Sequence, residues 1–386
     1  MKNNKSIAKS KKSSVKQTPI SNQNFKSKVS YLFGQTLWKQ RSYIGRFMIL
    51  IVYIASIIVA SAYGISRWYQ IEHKEEPLKF GATFIPNYAE YYKLDAKETL
   101  RASIDDLGIK RYRLVSYWKD YETEPDKYDF TKLDWQFDMI ESAGGEISLA
   151  LGLRQPRWPE CHGPDWAMAK TVPEWTEDLK EFMGVVIDRY KDRDVLKEYQ
   201  LENEYFLSVF GICPDFSRER LIDEYNYVKS KDSVKPVIIS RSNNAVGFPI
   251  GDPQPDKFAL TVYKRVWDKT LTKRYFEYPF PPWFYGFLAG GGEILTGKQL
   301  FIHELQTEAW LPDLIRKDGF SMIDAPIDEL YKSMSPETLE DRMKYGVDTG
   351  MRTIDLWGIE WWYQMKTKRD APELWQTAKT ELTKYR

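Results

Sequence analysis

Two short runs, Tyr199-Gln-Leu-Glu-Asn-Glu204 and Leu300-Phe-Ile-His-Glu304, each read as a β-strand that ends on a carboxylate. Each follows a helix-like segment, and aromatic, Pro or Cys residues come soon after it. About one hundred residues separate the two glutamates, so a tertiary fold has to bring them together. Working outward, eight β-like runs alternate with helical stretches: Phe80 to Ile85, Arg111 to Val115, Glu146 to Leu151, Glu198 to Leu201, Pro236 to Ser240, Phe258 to Val262, Gln299 to His303 and Thr353 to Leu356. Between them, Ala96 to Leu107, Thr131 to Ala143, Thr176 to Tyr190, Ser217 to Ser230 and Pro336 to Thr349 repeat apolar residues three and four apart, the period of an amphipathic helix. Strand and helix in alternation predict a parallel α/β fold. Eight such units fit an α/β (β/α)8 TIM barrel better than an open sheet, whose Gly-rich phosphate turn is missing.

Charge divides the chain of 386 residues unevenly. Residues 1–46 hold eleven Lys and Arg and no Asp or Glu, which leaves 45 basic against 55 acidic groups in the remainder. That asymmetry points to two compartments and away from a nucleic-acid partner. At the boundary lies Phe47 to Ser66, twenty residues without a charge, long enough at 1.5 Å per residue to cross a hydrocarbon core of roughly 30 Å. The basic flank puts 1–46 in the cytoplasm as a largely disordered tail, 47–66 across the membrane, 67–79 as a juxtamembrane linker and 80–386 outside. A cleaved signal peptide is the rival, since Ala60-Ser-Ala62 resembles a cleavage site, but the apolar run exceeds the ~7–15 residues of a signal core. Within the tail, Tyr31, Leu32, Phe33, Leu37 and Trp38 among bases suggest a surface-lying segment. Cys161 and Cys213, the two cysteines, fall on the exported side in loops after neighbouring strands, so a Cys161–Cys213 disulfide is expected.

Aromatic residues follow the strands. Tyr88, Trp118, Trp158, Tyr263, Trp310 and Trp357 all sit just beyond predicted strand ends, and flat rings gathered at one rim suit sugar faces. Glycosidic cleavage needs a proton donor for the leaving oxygen and, with retention, a carboxylate nucleophile about 5–5.5 Å away. Glu204 and Glu304 supply that pair of types, Asn203 stands ready for a sugar 2-hydroxyl, and a donor such as Tyr263 would hold Glu304. Leu201-Glu-Asn-Glu204 and Ile302-His-Glu304 resemble the strand-four Asn-Glu and strand-seven Glu of the clan A, or 4/7, retaining glycoside hydrolases, over about residues 80–386. The likeness is to family 5 cellulases, while Glu304-Leu-Gln306 is similar to family 42 β-galactosidases. It implies a double displacement with Glu204 as acid/base and Glu304 as nucleophile. It also implies substrate contacts for Arg113 late on strand two, Tyr263 after strand six and Trp357 late on strand eight.

Other carboxylates compete. Glu308 would be the nucleophile if the strand boundary slipped by four residues, Glu202 shares the parity of Glu204 and is expected to pair with an inward Arg such as Arg113, and Glu360 and Glu160 are rim candidates for sugar hydroxyls, with plain solvated loop residues as the alternative. Three widely spaced His (His73, His162, His303) show no metal-ligand pattern, so neither metal nor cofactor is expected. Tyr275 to Phe287 carries eight aromatics in thirteen residues and reads as a lid, a sugar platform, a membrane contact or a packed helix. The expected function is a membrane-anchored retaining glycosidase acting on a β-linked glycan. A transglycosylase that remodels surface polysaccharide, and a carbohydrate-binding envelope protein without catalysis, are the alternatives.

Overall fold

The computed structural model describes residues 42–208, 211–242, 247, 251, 253–269 and 271–385. The basic tail and its surface-lying segment, up to residue 41, fall outside them. The eight expected strands form: β1 (Lys79–Thr83), β2 (Arg111–Val115), β3 (Glu146–Leu151), β4 (Leu196–Leu201), β5 (Val237–Arg241), β6 (Lys257–Val262), β7 (Leu300–Gln306) and β8 (Thr353–Trp357). All neighbours pair in parallel, in chain order, and β1 closes on β8 to give the (β/α)8 barrel. Two short hairpins at Glu122–Tyr128 and Arg265–Glu277 were not foreseen.

Helices cover the barrel wherever an apolar stripe is framed by cap residues. One of them, Val172–Tyr190, starts with a capping box between Thr171 and Glu174 and turns Trp175, Leu179, Phe182, Met183, Val186 and Tyr190 inward. Fully burying such a side chain contributes about 1.5–3 kcal/mol. Pro336–Asp348 is capped by Ser335, whose hydroxyl accepts from Thr338 N at 3.2 Å.

The apolar run belongs to a continuous helix, Tyr43–Glu72, long and apolar enough to cross a membrane. It continues through residues 67–72, which the sequence suggested as linker. The described residues up to Ser61 and those from Ala62 onward belong to separate compact units. Within the second unit, Ser66 and Tyr69 are buried against helix Pro282–Thr296. Gly286 and Gly290 permit that approach, since a Cβ on Gly290 would stand 3.0 Å from Ile65 and Tyr69. The Tyr275 to Phe287 stretch is thereby divided: its start completes a hairpin, and Tyr285 is buried in the core.

Inside the barrel floor Arg111 bridges Asp355 at 2.9 Å and Glu198 at 2.6 Å, with Lys257 on Glu198 at 2.8 Å and His303 on Asp355 at 2.6 Å. Burial pushes both carboxyls up, and Arg111 together with His303 at Asp355 and with Lys257 at Glu198 outweighs it, so each falls to about 2. Replacing Arg111 by Met leaves two buried carboxylates short of their main partner. The expected loss is about 3–5 kcal/mol in urea unfolding at neutral pH, and an unchanged midpoint would show that the network carries no stability.

Candidate active site

β4 ends at Leu201, and the chain then turns sharply: Glu202 and Glu204 both take positive φ, 53° and 43°. Strand parity therefore stops applying there. Glu202 is the correction that follows. It accepts from Leu153 N (2.8 Å) and Arg154 N (3.0 Å) and pairs with Arg220 (3.0 Å), not with Arg113. Glu204 enters the cleft instead.

A bulge in β7 does similar work. Ile302 pairs with Leu260 and Glu304 with Thr261, so His303 is an extra residue on one strand. His303 and Glu304, though consecutive, can then both meet barrel-interior partners: His303 reaches Asp355, and Glu304 reaches Arg113. Arg113 is fully buried and donates to Thr83 Oγ1 (2.9 Å), Gln200 Oε1 (3.2 Å) and Glu304 Oε1 (2.7 Å). Tyr263 donates to the other oxygen, Glu304 Oε2, at 2.9 Å. Burial, then Glu304 and Glu204, push the Tyr263 phenol well up, so it remains a donor. Glu304 is thus an oriented carboxylate with a donor on each oxygen.

Glu204 has a different environment. Thr261 Oγ1 donates to its Oε1, and its backbone N donates to Ser240 Oγ at 3.0 Å. Burial, and then the charge of Glu304, raise its carboxyl to about 7. Asn203 accepts from Gln200 Nε2 (2.9 Å) and donates to Glu160 Oε2 (3.1 Å). One glutamate of the pair keeps its proton near neutrality while the other is held by cationic and phenolic donors.

These groups lie in a cleft of about 930 Å³, lined also by Tyr88, Tyr91, Trp158, Trp267, Trp310 and Trp357. Of the sequence-predicted residues, Glu204, Glu304, Asn203, Tyr263, Trp158, Trp310 and Trp357 line it, and Arg113 sits directly beneath Glu304. Trp118 does not. It opens a short helix, its indole N–H donates to Glu122 at 2.7 Å, and its ring packs between Trp166 and Phe182. Apolar area there outweighs a place at the rim. Trp158 is open, 59% exposed, whereas one side of Trp357 is covered by the Arg157 guanidinium, 4.1 Å from its ring centre and 3.4 Å from that of Tyr88. Glu308 belongs to this stack: it pairs with Arg157 (2.6 Å) and accepts from Tyr88 (2.6 Å) and Tyr92 (2.8 Å).

The Cys161–Cys213 disulfide is formed, joining the loops after β3 and β4. Glu160 and Glu360, read from sequence as solvated, are buried, 4% and 1% exposed. Glu360 accepts from Ile85 N at 2.7 Å, and burial raises it to about 7. The stacking of Arg157 and the burial of Glu160 were not foreseen, because nothing local in Arg154-Gln-Pro-Arg-Trp-Pro-Glu160 reports either packing. Among the described residues no group of three or more His, Cys, Asp or Glu could hold a metal ion.

No protein-family model matches the sequence, and no curated protein matches it. Its (β/α)8 barrel is nonetheless similar in fold to several solved structures. A GH5_18 protein from Streptomyces cattleya, solved in complex with GlcNAc, superposes with a TM-score of 0.54 at 11% identity over 80% of each chain. A β-galactosidase from the Antarctic haloarchaeon Halorubrum lacusprofundi gives 0.52 at 12% identity, over 80% of this chain and 58% of that one. The exo-β-1,4-mannosidase Op5Man5 from Opitutaceae bacterium strain TAV5 gives 0.50 at 13%, over 72% and 51%.

Raising a carboxyl by burial costs folding stability once it must ionise. The folded chain holds the Glu204 proton between about pH 4.5 and 7, where the unfolded chain has released it, so stability falls with pH across that window. Glu204→Gln removes this cost. The variant is expected to match wild type at pH 4 and to exceed it by about 3 kcal/mol at pH 8 in urea unfolding; a pH-independent difference would contradict the raised carboxyl.

Proposed function

We propose that this protein is a retaining glycoside hydrolase, with Glu304 as nucleophile and Glu204 as acid/base. The observation that carries the reading is the contrast between the two glutamates: one held by Arg113 and Tyr263, the other buried and protonated to about pH 7. In the first step a Glu304 oxygen attacks the anomeric carbon while Glu204 gives its proton to the departing oxygen, leaving a glycosyl ester on Glu304. In the second, Glu204 as carboxylate takes a proton from the water that attacks the same carbon, the ester bond breaks, and both glutamates return to their starting forms. Arg113 and Tyr263 keep Glu304 aimed through both steps. Asn203 is suited to the sugar 2-hydroxyl, and Trp158, Trp310 and Trp357 to ring faces.

A β-linked glycan is the proposed substrate, since neighbours in fold carry β-galactosidase and exo-β-1,4-mannosidase names and one was solved with GlcNAc. The helix Tyr43–Glu72, with the basic residues before it, supports a single-span anchor that leaves the barrel outside the cytoplasm. Residues 67–72, helical here, join the anchor to the domain in place of a loose linker.

The test uses the full chain in detergent on aryl β-glucosides, β-galactosides, β-mannosides and N-acetyl-β-glucosaminides. Glu204→Gln and Glu304→Gln are each expected to lose roughly 10³-fold or more in kcat/KM, and the wild-type alkaline limb should centre near pH 7. A chain inactive throughout that binds glycan as well as both variants do would be a binding protein. Resistance of the full chain to alkaline carbonate extraction checks the anchor, and release into the soluble fraction would refute it.

A further inference from the structure

Residues Ala62 to His73 run alongside helix Pro282–Thr296, and the order of their contacts fixes a direction. The Tyr63 ring meets that of Trp283 at 5.9 Å, Ser66 abuts Gly286, Tyr69 abuts Gly290, and His73 Nε2 lies 2.9 Å from Glu293 Oε2. Contacts that advance together along both segments make the pair parallel. Small residues four apart on each side, Ala62 and Ser66 against Gly286 and Gly290, let the two backbones approach as packed membrane helices do.

Helix Pro282–Thr296 packs on β7 and leads into it through residues 297–299, so it runs opposite to the strand and ends at the barrel floor. Its first turn follows the Arg265–Glu277 hairpin, whose Val266, Trp267 and Lys269 line the cleft. The parallel partner therefore also descends from the cleft end to the floor. Its far end confirms this: the Tyr69 hydroxyl donates to Leu300 O at the start of β7 (3.4 Å), and Glu76 O accepts from Arg352 Nε just before β8 (2.8 Å). The chain enters the barrel unit at its catalytic end and reaches the floor before β1 begins at Lys79.

The uncharged run ends inside this stretch, at Ser66, and Arg67 is the first charge after it. With that run across the bilayer, the outer edge of the hydrocarbon falls beside Gly286, and Trp283 lies about 5 Å to its membrane side at 1.5 Å per residue. Tyr63 and Trp68, both exposed, flank the edge as interfacial aromatics do. Loops at the same end of the barrel carry exposed Trp158, Ile212, Leu271, Phe276 and Phe320, apolar groups suited to the shallow depth of an interfacial contact. We propose that the cleft opens toward the bilayer that holds the anchor, and that its substrate is a glycan carried on a lipid of that membrane. The proposal rests on the single-span anchor and the retaining hydrolase read above. A sugar tethered in the same bilayer meets the cleft at high effective concentration, whereas a soluble polymer must pass between rim and headgroups.

The full chain is reconstituted in phosphatidylcholine vesicles that contain nitroxide-headgroup lipid. Cys161 and Cys213 are bonded to each other, so Leu271→Cys, Phe320→Cys and Val234→Cys each present one thiol for a fluorophore. The first two stand at the cleft end, and Val234 lies on the floor side, in the exposed turn before β5. Loss of fluorescence is expected at positions 271 and 320 and not at 234; the reverse pattern, or no loss at any of them, overturns the proposal. A chain that fails to float with the vesicles refutes the anchor, and the proposal with it. For the substrate, octadecyl β-glucoside, β-galactoside, β-mannoside and N-acetyl-β-glucosaminide are supplied in the same vesicles as the protein or in separate ones. One of them is expected to be cleaved roughly tenfold or more faster in the same vesicles, and equal rates, or preference for a soluble β-glucan, would overturn the lipid assignment. Quenching at the rim without cleavage of any glycoside supports the membrane-facing cleft and fails the hydrolase reading alone.

Discussion

Arg113 spends all of its fixed charge inside the barrel, at 0% exposure, and the arrangement around it depends on that constraint. A buried guanidinium is tolerable when its donors are met. Here they are met by Thr83 from β1, Gln200 from β4 and Glu304 from β7, so one side chain on β2 links four strands. The partner it selects, Glu304, is turned into the cleft by the extra residue at His303. A second buried cation, Arg111, does the structural counterpart at the floor with Asp355 and Glu198. The two arginines are two residues apart on β2, and strand alternation sends both inward. One ties the floor of the barrel and the other the site.

Glu204 and Glu304 are the same residue type at the ends of parallel strands, and their environments make them different. Donors on both oxygens suit a carboxylate that stays an acceptor and attacks. Burial and a neighbouring negative charge, which outweigh the hydroxyls of Thr261 and Ser242, suit a carboxyl that keeps a proton to give. The β4 turn matters as much as the chemistry: positive φ at Glu202 and Glu204 lets Glu202 anchor the β3 loop and Arg220 while Glu204 reaches the opening. Strain in the backbone at that corner is repaid by the hydrogen bonds of Glu202.

The aromatic lining has two parts. Trp158, Trp267 and Trp310 offer ring faces or edges to the cleft, while Tyr88 and Trp357 enclose Arg157 and, through it, Glu308. A guanidinium at ring-stacking distance is a polar surface against the indole for which the family resemblance implied a substrate contact. The likeness in fold to proteins at 9–13% identity is compatible with such differences, since it reflects barrel geometry and not the loops that shape the cleft.

Local pattern in the sequence determined the eight strands to within a few residues, most of the amphipathic helices, the apolar helix and the two strand-end glutamates. Those features follow from residue spacing along a single element, which the chain carries everywhere. Tertiary structure decided the rest: that Trp118 belongs to the helix layer, that Glu202 leaves the barrel axis, that Glu308 is consumed by Arg157 and two phenols, and that Glu160 is buried beside Asn203. Each of these depends on which groups from distant segments compete for the same space and the same donors. A bulge or a left-handed turn reverses the direction of a side chain without any local signature, and desolvation by neighbours far along the chain, not residue type, sets which glutamate holds the proton.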